Sequence, residues 1–198
     1  MNIRQLTCIA IVALGAASAH AQTNLLSDGD FESFTSQVRS GSYTTLKAGS
    51  TFGAWSVTGT SVDLIRNAYG SINDVSVDLA GTPGPGYISQ TFNAVAGTSY
   101  TLNWDQYRNG SGATADMVVS FGDGSTSFGA VSAVTNQSLS WTATVSGLQT
   151  IKFGTASSST AGPTLDNVTL TAAVPEPSSV ALLLAGIACV GCVVRRRN

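Results

Sequence analysis

Ser99-Tyr100-Thr101-Leu102-Asn103-Trp104-Asp105 and, further on, Ser138-Leu139-Ser140-Trp141-Thr142-Ala143-Thr144-Val145 alternate polar and apolar residues without a break. Successive side chains of a strand point to opposite faces. Tyr100, Leu102 and Trp104, like Leu139, Trp141, Ala143 and Val145, are therefore expected on a core face, with the residues between them in water. Runs of this kind recur roughly every ten positions from Gly53 to Thr171, and no window sustains a 3.6-residue period, so the chain reads as all-β. Strands are predicted near 54–58, 61–65, 75–79, 87–93, 99–105, 116–121, 138–145, 150–153 and 164–171. That number suits two stacked sheets. Pro83-Gly84-Pro85-Gly86, Asn109-Gly110 and Asp123-Gly124 supply the fixed φ of proline and the positive φ that Gly and Asn tolerate in the turns between them.

Outside this region the chain changes character. Residues 1–21 carry one charge at Arg4, an apolar stretch over 6–17 and then Ala19-His20-Ala21, where a signal peptidase wants small residues at alternate positions. This is the pattern of a secretory signal peptide cleaved after Ala21. At the other end Pro175-Glu176-Pro177 precedes an uncharged apolar run and Arg195-Arg196-Arg197. A helix over 178–194 closes its own backbone hydrogen bonds in lipid, and the arginine cluster 195–197 is expected to stay cytoplasmic, leaving residues 22–173 on the far side of the membrane. The fifteen residues 180–194 extend only about 22 Å against a hydrocarbon core of about 30 Å, so Ser178, Ser179 and snorkelling arginines have to make up the difference.

Between the ends lies enough chain for one core. Residues 22–177 hold five basic and eleven acidic residues, a net charge of −6. Nucleic acid is a poor partner for such a surface. Cys8, Cys189, Cys192 and the single histidine, His20, all fall in the terminal segments. The domain thus has no disulfide, and imidazole-based or thiol-based catalysis and His-ligated zinc are excluded. Any catalysis would rest on carboxylates, as in glycoside hydrolases. Asp63, Asp78, Asp105 and Asp116 are the available acids, and Asp63 and Asp78 read as exposed carboxylates on half-buried strands.

Two resemblances extend this reading. The order Pro175-Glu176-Pro177, short apolar helix, arginine cluster resembles the PEP-CTERM sorting signal of Gram-negative bacteria. The resemblance implies processing by a membrane-embedded exosortase, an inner-membrane-anchored intermediate, and delivery to the cell surface or the exopolysaccharide matrix. Asn24-Leu25-Leu26-Ser27-Asp28-Gly29-Asp30-Phe31-Glu32, Ala54-Trp55-Ser56-Val57, Ser76-Val77-Asp78-Leu79-Ala80-Gly81, Gly86-Tyr87-Ile88-Ser89-Gln90 and Leu165-Asp166-Asn167-Val168 follow one another through the domain. Their succession resembles the choice-of-anchor C family, related to a plant cell-wall domain of unknown function. It implies a two-sheet jelly-roll sandwich of galactose-binding-like fold. Similar carbohydrate-binding jelly rolls carry a structural calcium ion where the opening motif meets the closing strand.

Glu32 and Asp166 are the expected ligands of that calcium, with backbone carbonyls near Gly29 and Asp30. Asp166 shares strand parity with Val168 and Leu170 and so is expected to point inward; the alternative is that it caps a turn or accepts backbone N–H bonds. Tyr69 and Tyr107, each in a polar setting beside Arg66 and Arg108, are the candidates for stacking on a sugar, while Trp55, Trp104 and Trp141 read as core. The sequence therefore points to an exported, non-catalytic surface protein that binds polysaccharide. The alternatives are a structural or adhesive protein without glycan affinity, and a carboxylate-dependent glycoside hydrolase.

Overall fold

Alternating runs become twelve strands among the described residues: β1 (Ser42–Lys47), β2 (Thr51–Phe52), β3 (Trp55–Gly59), β4 (Ser61–Arg66), β5 (Val75–Asp78), β6 (Gly86–Ala94), β7 (Ser99–Arg108), β8 (Met117–Phe121), β9 (Gly124–Phe128), β10 (Thr135–Thr142), β11 (Gly147–Thr155) and β12 (Pro163–Ala172). The structure, a computed structural model, describes residues 22–110, 115–156 and 158–173, together with Gly186. The expected signal peptide with Ala19 and Ala21, the sorting motif Pro175-Glu176-Pro177 and the arginine cluster lie outside them, as does the expected helix 178–194 except for Gly186. No helix among the described residues is long and apolar enough to cross a membrane.

The strands form two six-stranded antiparallel sheets, in the orders β1-β4-β5-β12-β7-β10 and β2-β3-β6-β11-β8-β9. Most connections carry the chain from one sheet to the other, which is the jelly-roll sandwich expected from the sequence. Tyr100, Leu102 and Trp104 of β7 are buried, as their alternation demands. The Trp104 ring stands edge-on to Phe128 at 4.8 Å and to Phe153 at 5.4 Å, joining the two sheets through aromatic contact. Trp55 is likewise fully buried and meets Phe153 and Phe31. Trp141 is only half-buried; it stacks on Tyr100 and its indole N–H donates to Asp123 Oδ2 at 3.1 Å.

Four features depart from the sequence reading. β1 and β9 are polar edge strands without the apolar alternation that reveals a core-facing strand, and β2 is only two residues long. A 3₁₀ helix (Glu32–Gln37) follows the opening motif, with Phe31 before it at φ 56°. β10 ends at Thr142, so Ala143 is buried beyond it while Val145 stands 59% exposed instead of entering the core. In β12 the register slips between Asp166 and Thr169, with Asn167 at φ 51°. This bulge reverses strand parity, so Asp166 lies on the face opposite Leu170 rather than alongside it.

Because Trp104 ties the sheets together, Trp104→Ala should destabilise the domain by about 3–5 kcal/mol. Urea unfolding followed by circular dichroism measures this, and a loss below about 1 kcal/mol would show that the aromatic junction is not central to the core.

Candidate functional site

The bulge and the cross-strand registers place an unusual set of side chains on the outer face of the first sheet, away from the core between sheets. Asp63 lies opposite Asp78, Ile65 opposite Ser76, Tyr43 opposite Ile65, Thr164 opposite Asp78, and Asp166 opposite Asp105. Residues 67–74 cross this face with Asn67, Tyr69 and Asn73 at positive φ. The turn is tight: a Cβ on Gly70, at φ 80°, would meet the Arg108 carbonyl oxygen at 2.2 Å. This loop and the loops that carry Thr82, Asn109 and Gly162 create a second layer of burial outside the sandwich. Ile65, Asp63 and Asp78, which lie on this face, are all buried. Asp63 and Asp78 are thus not the exposed carboxylates that strand alternation predicts.

A cleft of about 430 Å³ opens on this face, lined by Tyr43, Asp63, Ile65, Tyr69, Thr82, Asn109 and residues 159–161. Tyr43 and Tyr69 stand edge to face with centroids 5.5 Å apart, 43% and 41% exposed, beside the buried Ile65. Asp63 Oδ1 accepts the Thr82 N–H at 3.3 Å and Oδ2 accepts the Thr82 hydroxyl at 3.2 Å. Tyr43 was not a sequence candidate. It sits on a polar edge strand whose only signal is the alternation of Tyr43 and Thr45 with Thr44 and Leu46.

Of the other expected ligand-contacting residues, none lines this cleft. Arg66 is a strut: its Nε donates to Asp74 Oδ1 at 2.9 Å, and Nη1 donates to the carbonyls of Thr35 and Val38. The guanidinium hydrogen bond holds the Asp74 carboxyl below its ordinary range. Tyr107, the penultimate residue of β7, is half-buried opposite Thr164, and Arg108 is half-buried opposite Pro163. Of the acids, Asp105 accepts the side-chain amides of Asn136 and Asn167. Asp116 accepts the Ser127 hydroxyl on the other sheet.

Two carboxyls are strongly perturbed. Burial pushes Asp78 up to about 6, against three donors that favour its charge: Asn109 Nδ2 at 2.6 Å, Ala80 N–H at 2.9 Å and Gly162 N–H at 3.0 Å. It ties β5 to the two loops that border the cleft. Burial likewise pushes Asp166 up to about 7, opposed by hydrogen bonds from the Asn167 N–H and the Ser76 hydroxyl, while the charges of Glu32 and Asp105 push it further up.

Glu32 and Asp166, the expected calcium ligands, are therefore near enough to repel each other. Glu32 Oε1 also accepts the N–H groups of Asp74 and Val75 at 3.3 and 3.1 Å. Among the described residues no group of three or more His, Cys, Asp or Glu side chains is arranged to hold a metal ion. What the site offers a hard cation is two mutually repelling carboxylates and an all-oxygen donor set. This chemistry fits calcium if backbone carbonyls complete the shell.

Residues 24–171 match the family model described as a protein of unknown function, DUF642. The chain belongs to the DUF642 family. Residues 173–198 match the PEP-CTERM protein-sorting motif, so the DUF642 domain is followed directly by a sorting signal. No curated protein matches the chain in sequence. Similar solved structures include a family 61 carbohydrate-binding module in complex with β-1,4-galactotriose, at 14% identity and TM-score 0.49, covering 75% of this chain and 97% of that one. A family 35 carbohydrate-binding module from Clostridium thermocellum aligns at 19% identity and TM-score 0.39, over 65% and 97% of the two chains. An Arthrobacter globiformis isomalto-dextranase complexed with panose aligns at 20% identity and TM-score 0.42, over 65% of this chain and 23% of the enzyme.

Asp78 gives the DUF642 domain a pH signature. Its folded pKa, about 6, lies above its ordinary value of 3.8, so the folded state holds the proton more tightly. The stability this contributes is complete below about pH 4 and is lost as pH rises through 6, at up to about 1.4 kcal/mol per pH unit. Asp78→Asn removes the titrating group while keeping the size of the side chain and one oxygen acceptor for the Ala80 and Gly162 N–H groups. The wild-type minus variant difference in urea stability should therefore fall between about pH 4 and 7; a flat difference would show that Asp78 titrates normally.

Proposed function

We propose that the DUF642 domain is a non-catalytic module that binds a neutral polysaccharide in the cleft of Tyr43 and Tyr69. In this reading the sorting motif hands the domain, through an exosortase-type enzyme, to the cell surface or surrounding matrix of a Gram-negative bacterium after signal peptidase has removed residues 1–21. The observation that carries the proposal is the tyrosine pair. Two half-exposed rings stand beside carboxylate, amide and hydroxyl groups, so one wall offers an apolar face and the rest offers hydrogen bonds. A sugar ring presents the same division, with C–H faces and equatorial hydroxyls. Tyr69 is held at φ 54°, a conformation that costs an aromatic residue on the order of 1–3 kcal/mol, and strain of this kind collects at binding sites. Asp63 is the one charged group among the residues lining the cleft, so nothing there attracts a polyanion.

Hydrolysis has less support. A glycosidase needs two carboxyl groups facing the scissile bond, and Asp63 lines the cleft while Asp78 faces its three protein donors. Calcium belongs to the same proposal as a stabilising ion held by Glu32 and Asp166. When bound it would neutralise their repulsion and fasten the 3₁₀ helix to β12.

Tyr43→Ala and Tyr69→Ala should each weaken retention on a neutral polysaccharide about tenfold, roughly 1.4 kcal/mol, in affinity electrophoresis of the exported protein. Retention on no polymer by wild type would favour the adhesive alternative, and unchanged retention in both variants would move the site elsewhere. For the ion, calcium should raise the thermal midpoint relative to EDTA, and Glu32→Gln and Asp166→Asn should abolish the rise. Equal midpoints in wild type with calcium and with EDTA would remove calcium from the account.

A further inference from the structure

The end of the sandwich remote from the cleft carries its own feature. Val95, Val145 and Leu148 are 59%, 59% and 71% exposed; Val95 and Val145 lie in the two connections that meet there, β6–β7 and β10–β11, and Leu148 is the second residue of β11, paired with Asn93. These connections are bound together: Gly97 N–H donates to the Ala143 carbonyl at 2.7 Å, Ala143 N–H to Thr98 at 3.0 Å, and Ala96 N–H to the Ser146 hydroxyl at 2.9 Å. Gly147 pairs with Ala94 across the strands. Neither 94–99 nor 143–149 contains a charged residue, in a domain that is otherwise acidic. Single exposed aliphatics are ordinary, but three on one uncharged, cross-braced tip form a surface.

The chain leaves the described domain at the same end. Ala173 N–H donates to the Ser99 carbonyl at 2.7 Å, and Ser99 follows directly on the β6–β7 connection. Six residues, 174–179, then separate Ala173 from the uncharged run 180–194. Fully extended, six residues reach about 20 Å.

We infer that the tip of Val95, Val145 and Leu148 is a lipid-seating surface that rests on the bilayer while the C-terminal run is in it. The inference rests on the reading of 180–194 as a membrane span. Three aliphatic side chains are too few to recruit a free protein to a membrane, but a tether this short makes their contact intramolecular, at an effective concentration near the millimolar range. The absence of charge from the two connections removes the desolvation cost that a polar tip would meet at the interface.

The test uses the full chain in phosphatidylethanolamine–phosphatidylglycerol vesicles with and without brominated acyl chains. Leu148→Trp adds a reporter at the tip, and Tyr69→Trp adds one at the cleft. Bromine should extinguish the emission added by Leu148→Trp beyond any loss in wild type, leave that of Tyr69→Trp intact, and lose its effect on Leu148→Trp when Val95→Asp and Val145→Asp are added. Equal quenching at the two positions overturns the proposal. So does a tip that escapes quenching while the chain forms concentration-dependent dimers in detergent, which would assign the patch to a second copy. A chain that does not float with the vesicles refutes the membrane-span reading and the tip with it, whereas one that floats with an unquenched Leu148→Trp refutes the tip alone.

Discussion

β12 must satisfy two sets of neighbours at once, and the bulge at Asp166–Asn167 is how it does so. Val168 and Leu170 belong to the core cluster, while Asp166 pairs with Asp105 on the outer face. A regular strand would put all three on one side. By taking Asn167 into the left-handed region, which Asn tolerates better than most residues, the chain spends one residue to change face. The opening segment is then fixed against the altered strand: Val168 N–H donates to the Gly29 carbonyl, and the Asn24 side chain accepts the Leu170 N–H. Gly29 has no room for a side chain here, since a Cβ would fall 2.0 Å from the Val168 carbonyl oxygen. Opening and closing segments hold each other in register.

The same bulge separates what the sequence displayed from what it concealed. Strands whose apolar residues face the core between sheets, such as β6, β7 and β11, are legible because period two has a single cause there. The outer face has a second cause of burial, the loop over residues 67–74 together with those that carry Thr82, Asn109 and Gly162, and no local pattern announces it. Asp63 and Asp78 sit in alternating strands and read as wet, yet the covering loops bury both. Arg66 reads as a ligand contact beside Tyr69 because nothing local reveals its carbonyl partners, Thr35 and Val38, which are 31 and 28 residues away. Tyr69 was visible as an aromatic in a polar loop. Its partner Tyr43 was not, because β1 is an edge strand with no core-facing apolar row.

Buried carboxyls on that outer face are the cost of building a cleft on the back of a sheet. Asp78 accepts three hydrogen bonds and is still pushed up to about 6, so desolvation outweighs three donors. Asp166 also accepts three hydrogen bonds, from the Asn167 N–H, the Ser76 hydroxyl and the Asn73 side-chain amide, but it has two acidic neighbours and is pushed up to about 7. The comparison separates their roles. Asp78 is a strut that joins β5 to two loops, whereas Asp166 faces the charges of Glu32 and Asp105, which a proton or a cation would offset.

Strand β12 also fixes the distance between the two functional ends. Thr164 lies beside Asp78, next to the cleft, and Ala173 lies beside Ser99, where the chain leaves. Because the bulge carries an extra residue, the span matches the eight steps from Tyr107 to Ser99 on β7, and at about 3.3 Å each it is about 26 Å. The strand is laddered to β7 along its length and to β5 at Thr164 and Leu165, so it cannot shorten that span without losing its ladder. The tyrosine cleft and the point where the chain leaves the described domain therefore lie toward opposite ends of the sandwich, because β12 begins at one end of the sheet and terminates at the other.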